Sequence, residues 1–218
     1  MPTTPKTGTD RKASHVSDKA FLNIPYDEQF EPLYLAFIAG LSGFGLIPQA
    51  VLQIPESERR LDRIFSLIRQ CKISFHDLSR VELDPRRPPT PRFNMPFELG
   101  LAVVWQWKGD PEHRYFVFEA NARRAEKSLS DLKGTEIYAH GNRLRGVFRE
   151  LTDVLVNEPH QPTVRDLEAI YRKLKKEAVG IKQRVRRKSL FHARPFRDLV
   201  IKALAIARER IPSLRQGT

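Results

Sequence analysis

The sequence predicts an α/β fold in which an open, mostly parallel sheet carries helices on both faces and a helical appendage follows at the C-terminus. Short apolar runs of strand length alternate with longer segments whose apolar residues recur at helical spacing, and the connections between them have ordinary lengths. The charge is spread unevenly along the chain. Residues 159–218 hold 16 basic and 5 acidic side chains of a chain whose net charge is +12, so the basic excess belongs to the appendage.

The first two strand–helix units come early in the chain. Residues 20–24 form a short apolar run closed by Pro25, which predicts a buried strand followed by a loop. Residues 30–41 have apolar side chains at helical spacing and predict the first helix. Residues 46–52 predict a second strand, and an amphipathic helix is expected to begin near Glu58.

The next units complete the predicted sheet. Residues 71–77 predict a third strand, and the segment 83–92, rich in proline and arginine, predicts a loop. Asn94 is placed to cap a third helix that is apolar nearly all round. Residues 115–118 predict a fourth strand, and residues 144–155 predict the last helix of this region.

The predicted organisation has three parts. Residues 1–19 are expected to be a disordered N-terminus, residues 20–158 the α/β domain, and residues 159–218 a basic extension with two helical patterns. The extension either packs back on the domain or serves as an interaction arm. Its run 182–188 is basic enough to contact nucleic acid through counterion release, and it equally suits the solvated face of a packing or self-association element.

Several classes of protein lose support from the sequence. The single cysteine, Cys71, excludes an intrachain disulfide and a cysteine-based zinc cluster. The chain lacks the glycine-rich dinucleotide and P-loop motifs, the zincin motif and the nucleophile elbow of serine hydrolases. It has no signal-peptide core and no apolar stretch long enough for a membrane span, which predicts a soluble cytoplasmic protein without membrane contact.

The candidate site residues follow from the predicted topology. Ligands of open parallel sheets bind beyond the carboxyl ends of the strands, so we expect the site in the loops that follow them. The alternative is that these loop residues form caps and turns and that the histidine is satisfied by backbone groups. The candidates are Asn23, Pro25 and Tyr26 after the first strand, His76, Asp77 and Ser79 at the third, Arg92, Asn94 and Glu98 around the start of the third helix, and Ser130 and Asp131 in the last loop.

Glu98 is the sharpest of these candidates because it is expected in the first turn of the third helix. There the positive end of the helix dipole favours an ionised carboxylate. Such an anion suits a nucleophile or a stabiliser of the oxocarbenium-like ribose that forms when an N-glycosidic bond breaks, and Asp77 could hold ribose hydroxyls. The alternative is that Glu98 is only a favourable first-turn acid.

A family resemblance adds to this interpretation. Residues 97–102, Phe-Glu-Leu-Gly-Leu-Ala, resemble the nucleophile segment of the nucleoside 2-deoxyribosyltransferases, in which the Glu attacks the deoxyribose. The related TIR domains that hydrolyse NAD place a catalytic Glu on the corresponding helix. Four ordered segments are similar to those of a bacterial family of TIR-like, deoxyribosyltransferase-like proteins: FLNIPYDEQFEPL, CKISFHDLSRVE, PRFNMPFELGLA and SDLKGTEIYAHGN. The resemblance covers residues 21–155 and implies a flavodoxin-like sheet.

Arg92 departs from the pattern of the resembled enzymes. Deoxyribosyltransferases carry an acidic residue six positions before the nucleophile, and that position is Arg92 in this chain. A cation there disfavours the plain nucleoside mechanism. Together with Arg86 and Arg87 it suits the phosphates of NAD or another nucleotide; the alternative is that these arginines point into water.

The resemblance therefore implies an enzyme that cleaves or transfers at the N-glycosidic bond of NAD or a related nucleotide, which is a substrate rather than a cofactor, and no metal is expected. Asn23, Tyr26 and Asp77 are expected to position the ribose, and Arg92 to meet a phosphate. The alternative prediction is a non-catalytic TIR-like module that senses a nucleotide or assembles with partners, itself included, through its basic C-terminal helices.

Overall fold

The computed structural model describes residues 18–53, 59–80, 83–84, 90–185 and 189–215. The predictions for Glu58, Arg86 and Arg87, for residues 1–17 and for residues 186–188 therefore lie outside the described residues. In chain order the elements are β1 (Lys19–Asn23), α1 (Glu31–Gly43), β2 (Ile47–Ala50), α2 (Arg60–Arg69), β3 (Ile73–Asp77), β4 (Leu83–Asp84), β5 (Thr90–Pro91), α3 (Asn94–Lys108), β6 (Arg114–Glu119), α4 (Arg124–Ser128), β7 (Ile137–Ala139), α5 (Leu144–Val154), α6 (Val164–Arg184) and α7 (Ala193–Arg210).

The five-stranded sheet is parallel throughout and confirms the predicted fold class. Its strand order is β2-β1-β3-β6-β7, which is the flavodoxin-like order, while β4 and β5 form a separate antiparallel pair. The chain winds outward in opposite directions from β1 and β3. The crevice expected of such a sheet therefore lies beyond the carboxyl ends of these two strands, at Asn23 and Asp77.

Helices cover both faces of the sheet, as predicted. On one face α2 and α3 bury a cluster that includes Phe21, Ile68 and Ala102. On the other, α1 and α5 pack on the aromatic side chains of the central strands, where the ring of Phe37 lies edge-on to that of Phe118 at 5.3 Å. Burying aromatic and branched side chains on both faces contributes most of the stability of such a sheet.

The C-terminal helices form a further layer on α1. A capping box at Thr163 starts α6, and its buried side chains join the core beneath α1. Phe196 on α7 is fully buried and its ring contacts that of Tyr34 on α1. Of the two expectations for this extension, the structure confirms that it packs back on the domain.

Four local predictions were wrong. The segment 83–92, predicted to be a loop, contains the short strands β4 and β5. Lys19 begins β1, so it does not belong to a disordered N-terminus. The loop predicted before α5 contains a fifth strand, β7, whose three residues are too few to show an alternating pattern. Asn94 does not cap α3: the capping position is Phe93, without a side-chain cap, and Asn94 is the first helical residue. Among the described residues, no helix is both long and apolar enough to cross a membrane.

Candidate active site

The start of α3 is attached directly to the carboxyl edge of the sheet. The side-chain amide of Asn23, the last residue of β1, donates a hydrogen bond of 2.8 Å to the carbonyl oxygen of Met95. Asn23 is buried and Met95 lies in the first turn of α3. This contact attaches the helix that carries Glu98 to the carboxyl end of β1.

Glu98 is a buried carboxyl group with an unsatisfied oxygen. The residue is 5% exposed, and its Oε2 atom is buried without a hydrogen-bond partner among the described residues. Burial raises the pKa of Glu98 to about 7, against a smaller opposing effect of the Arg60 guanidinium. An orphaned buried carboxyl oxygen is rare in folded proteins, because its desolvation is normally offset by a donor.

The position of Glu98 corrects the expectation of a first-turn anion. Because α3 begins at Asn94, Glu98 is the fifth residue of the helix and no acid lies in its first turn. The field of the helix dipole falls off within that turn, so burial decides the protonation of this group. Glu98 is therefore a carboxyl group with a raised pKa, of the kind that exchanges protons near neutral pH.

Tyr26 and Arg60 lie close enough to Glu98 to interact with it electrostatically. Burial and the Glu98 carboxylate raise the pKa of Tyr26 well above its usual value. The Tyr26 ring is held between Tyr34 and Phe191, at centroid distances of 6.2 and 6.0 Å. A phenol, a carboxyl and a guanidinium group thus lie within electrostatic range of one another; they come from the loop after β1, from α3 and from the start of α2.

A buried hydrogen-bond chain lies behind Asn23. Asn23 Nδ2 lies 2.9 Å from His76 Nδ1, His76 Nε2 lies 3.0 Å from Ser74 Oγ, and Ser74 Oγ lies 3.0 Å from His113 Nε2. The chain ends where His113 Nδ1 lies 2.9 Å from the carbonyl oxygen of Cys71. A carbonyl can only accept and the Asn amide nitrogen can only donate, so each bond has one possible direction when both rings are neutral.

The two histidines in this chain are held neutral. Burial lowers the pKa of His76 to about 3, with a further contribution from His113, and burial lowers the pKa of His113 as well. His76 is satisfied by the side chains of Asn23 and Ser74, not by backbone groups. The chain therefore orients the Asn23 amide from below the crevice.

Asp77 and Ser79 belong to a second buried cluster, which corrects the expectation that Asp77 holds a ribose. Asp77 is fully buried; its Oδ1 accepts from the Ser79 backbone and its Oδ2 lies 3.0 Å from His140 Nε2. The Ser79 hydroxyl contacts the same ring nitrogen at 3.1 Å. Asn142 N donates to His140 Nδ1. Because protein groups bond to both oxygens, Asp77 supports the edge of the sheet.

A buried ion pair extends this second cluster to β6. Arg124 donates through Nε and Nη2 to the two carboxylate oxygens of Glu119, at 3.0 and 2.5 Å, and Nη2 also donates to the carbonyl oxygen of Ser79. Glu119 is fully buried. Such a two-pronged pair fixes both groups in one geometry, which holds the loop after β3 against the end of β6.

Arg92 meets a carboxylate of its own chain. Its Nη1 lies 3.3 Å from Oδ2 of Asp27, and Arg80 Nε approaches the same oxygen at 3.2 Å. Asp27 Oδ1 accepts from the backbone of Phe30 at the start of the first helix. In this structure Asp27 thus balances part of the positive charge that was expected to meet a phosphate.

The remaining sequence candidates take separate places. Pro25 is buried directly after β1 and Asn94 is exposed at the start of α3. Ser130 and Asp131 are exposed on a short 3₁₀ turn. The structure therefore places Asn23 against the first turn of α3, Tyr26 within electrostatic range of Glu98 and His76 behind Asn23, and it leaves Ser130 and Asp131 on a separate surface turn.

Sequence reasoning missed Arg60, Asp27 and His113. Asp27 stands inside a segment that was singled out, and its loop position was the available signal. Arg60 begins a helix after β2, at the same edge of the sheet. His113 carries no sequence signal, because it reaches Ser74 only through the register in which Arg114 pairs with Ile73.

No group of three or more metal-ligating side chains occurs in the part of the chain that the structure describes. A scan against protein-family models, a search of curated proteins and a search of solved structures each found no match to this chain.

Proposed function

We propose that this chain cleaves or transfers the N-glycosidic bond of a nucleoside or nucleotide such as NAD, and that Glu98 meets the developing ribosyl cation. The observation that carries the proposal is the Glu98 carboxyl group, buried yet with an unbonded oxygen, at the switch point of a parallel sheet. A residue with a shifted pKa in such a place is a candidate for catalysis.

The chemistry requires the anionic form of Glu98. As the C1′–N bond breaks, its electron pair leaves with the base, and a carboxylate oxygen either stabilises the cation or forms an ester bond to C1′. Water then replaces the carboxylate in hydrolysis, and a second base replaces it in transfer. A substrate with a positively charged ring favours the ionised carboxylate through its own charge.

The neighbouring groups have defined parts in this proposal. The Asn23 amide, held by His76, and the Tyr26 hydroxyl bind ribose hydroxyls beside Glu98. Arg60 supplies a cation for a phosphate at the mouth of the crevice, a part that Arg92 takes as well if a ligand replaces Asp27. A TIR-like or deoxyribosyltransferase-like family membership and a cytoplasmic location belong to the same proposal.

The experiment compares base release by the wild type with release by Glu98→Gln. The purified protein is incubated with NAD and with a panel of deoxynucleosides, and the free base is followed by chromatography. Glu112→Gln, on an exposed turn, is the matched control. Release that is lost in Glu98→Gln and kept in the control supports the proposal. Equal release by all three proteins removes Glu98 from the mechanism.

A second candidate function, assembly of a non-catalytic module, is favoured by an exposed apolar stripe on α3. Phe93, Phe97, Val104 and Trp107 are 52–73% exposed, and their spacing places them on one side of the helix together with the exposed Gly100. Soluble proteins rarely leave several large apolar side chains adjacent in water without a partner.

The spacing of the stripe suits a second copy of this chain. Gly100 lies midway between Phe93 and Trp107, with Phe97 and Val104 on either side of it, so two antiparallel α3 helices that cross at Gly100 place large side chains against large ones. In the part of the chain that the structure describes, no atom lies within 4 Å of a Cβ built at Gly100, which leaves room for close approach.

Sedimentation velocity over a range of concentrations tests this second candidate. The variant Val104→Gln/Trp107→Gln leaves Glu98 untouched, and Val179→Gln, which removes an equally exposed apolar side chain from α6, is the control. A dimer that dissociates in the double variant alone, without base release by any form, favours assembly. A monomer at all concentrations contradicts it.

A further inference from the structure

A cavity of about 400 Å³ lies at the carboxyl end of β7, where the turn leads into α5. Its wall combines the end of β7, the turn, the start of α5 and the start of α6, through His140, Arg143, Arg145, Gly146, Arg149 and Val164. We call it the α5 cavity. A concave space of this size accommodates a small organic molecule.

The α5 cavity collects positive charge that the described part of the chain balances only at Arg149. Neither Arg143 nor Arg145 makes a hydrogen bond or an ion pair through its side chain within the described part of the chain, and Arg149 contacts Glu150 at 2.9 Å. The described lining holds no carboxylate. The guanidinium groups of Arg143 and Arg145 lie at the same depression and repel one another, so an anion bound between them is favoured.

The start of α5 adds to this positive field. The capping residue, Arg143, makes no side-chain cap, so its own side chain does not occupy the first N–H groups of the helix, which are the groups that bind anions at helix starts. Gly146 brings that helix end close to the sheet: a Cβ at this position would lie 2.0 Å from the carbonyl oxygen of His140. The glycine is thus required by the close approach that builds the cavity.

The described lining of the α5 cavity lacks groups that could carry acid–base chemistry. Its one imidazole, His140, accepts from Asn142 N at Nδ1 and faces Asp77 and Ser79 through Nε2, so both ring nitrogens are engaged. Its cations are arginines, which stay charged at every accessible pH. The cavity is therefore a place for binding an anion.

We propose that the α5 cavity binds the phosphate group of a small phosphorylated molecule, such as a mononucleotide. Arginine presents a planar pair of donors that matches two phosphate oxygens, and the helix start adds backbone donors to the same group. Ala139 and Val164 give the wall an apolar side for a sugar or base. The concave shape favours a small ester over the backbone of a nucleic acid.

The α5 cavity is distinct from the crevice at Glu98. Strands β6 and β7 lie beyond β3 in the sheet, and neighbouring strands are about 4.8 Å apart, so the end of β7 lies roughly 10 Å from the end of β3. The two sites share the carboxyl edge of the sheet without sharing a described lining residue. The binding proposal therefore holds whether or not Glu98 is catalytic.

Calorimetric titration of the full chain with inorganic phosphate, ribose 5-phosphate and ADP tests the proposal. The variant Arg143→Gln/Arg145→Gln is expected to bind each at least about tenfold more weakly than the wild type, because two charged donors are lost. The control Arg172→Gln/Lys175→Gln removes the same charge from an exposed face of α6 and is expected to change the affinity less than about twofold.

Three outcomes would overturn the proposal. The first is a wild type that binds none of the three ligands at millimolar concentration. The second is an equal loss in the two double variants, which would make the effect one of net charge. The third is preferential binding of a single-stranded oligonucleotide whose affinity depends on Arg143 and Arg145. Melting curves of both double variants verify that the exposed substitutions leave the fold intact.

Discussion

The amide of Asn23 donates to Nδ1 of His76 at 2.9 Å, and this bond joins the edge of the crevice to a row of buried side chains that runs back along β3. The same amide holds Met95 at the start of α3. A strand-end amide thus connects the helix that carries Glu98 with two neutral histidines beneath the sheet edge. The contact makes the arrangement of the crevice sensitive to the protonation of His76.

The first prediction is that acid destabilises the fold through His76. Burial lowers the pKa of His76 to about 3 in the folded protein, while the unfolded chain titrates near 6.5. The unfolded state therefore binds the extra proton first, and the free energy of unfolding falls as the pH drops from 6.5 toward 3. At pH 4.5 the loss from this group alone is about 3 kcal/mol relative to pH 7.

Urea unfolding at several pH values measures this loss. His76→Asn removes the titrating group, so its stability is expected to depend less steeply on pH between 6.5 and 4, whatever its stability at neutral pH. His160→Gln, at a partly exposed site, is the control and keeps the slope of the wild type. Equal slopes for the wild type and His76→Asn would contradict the assignment.

The second prediction is that Glu98→Gln stabilises the protein at high pH. Burial raises the pKa of Glu98 from 4.5 to about 7 in the folded state, so the folded protein retains a proton that the unfolded chain releases. The contribution of this group to the free energy of unfolding is fully present at low pH and is lost as the pH rises through 7. The comparison uses the free energy of unfolding of Glu98→Gln minus that of the wild type. We expect this difference to be up to about 3 kcal/mol larger at pH 8 than at pH 4.5.

The comparison needs unfolding curves of both proteins at the two pH values. Glu112→Gln replaces an exposed carboxylate and is expected to give the same difference from the wild type at both. If Glu98→Gln also behaves identically at both pH values, the carboxyl group is not held in a desolvated place, and its proposed role loses its physical basis.

The fold could be predicted from the sequence because apolar periodicity reports burial directly. The runs at 20–24 and 71–77 and the amphipathic pattern of 144–155 all correspond to elements of the structure. Strand β7 was not predicted because its three residues are only partly buried. The start of α3 was predicted at the wrong residue because no side chain caps this helix. Such boundaries depend on tertiary contacts rather than on local propensity.

The site was predictable only in part. The topology placed Asn23, Tyr26 and Glu98 at one edge, since each follows from where a strand ends or a helix begins. The raised pKa of Glu98 could not be predicted from the sequence. It results from burial of the side chain, and that burial exists only after α3 has packed in the folded protein. The partners of Asp77 could not be predicted either, because His140, which follows β7, approaches Asp77 only after the sheet forms.

The third prediction concerns the pH dependence of base release, and it depends on the proposed function. If Glu98 acts as an anion, the catalytic efficiency rises with pH and levels off above about 7, because the pKa of Glu98 lies there in the free protein. The initial rate of base release at low substrate concentration, measured from about pH 5.5 to 8.5, gives the profile. A rate that falls over this range assigns Glu98 the role of a proton donor instead.

The fourth prediction is that Gly146→Ala destabilises the protein whereas Gly180→Ala does not. A Cβ at Gly146 would lie 2.0 Å from the carbonyl oxygen of His140, a backbone atom that cannot move without displacing the end of β7. Overpacking of this kind costs about 1–3 kcal/mol. At Gly180, near the C-terminal end of α6, none of the described residues has an atom within 4 Å of the added atom, and alanine favours a helix by up to about 1 kcal/mol.

The two alanine variants are compared by chemical denaturation under the same conditions. They add the same methyl group to two helices, so their difference in stability isolates the contact between α5 and the end of β7. Opposite signs are expected. If Gly146→Ala is as stable as the wild type, the start of α5 does not approach His140 as closely as the structure has it, and the wall of the α5 cavity is built differently.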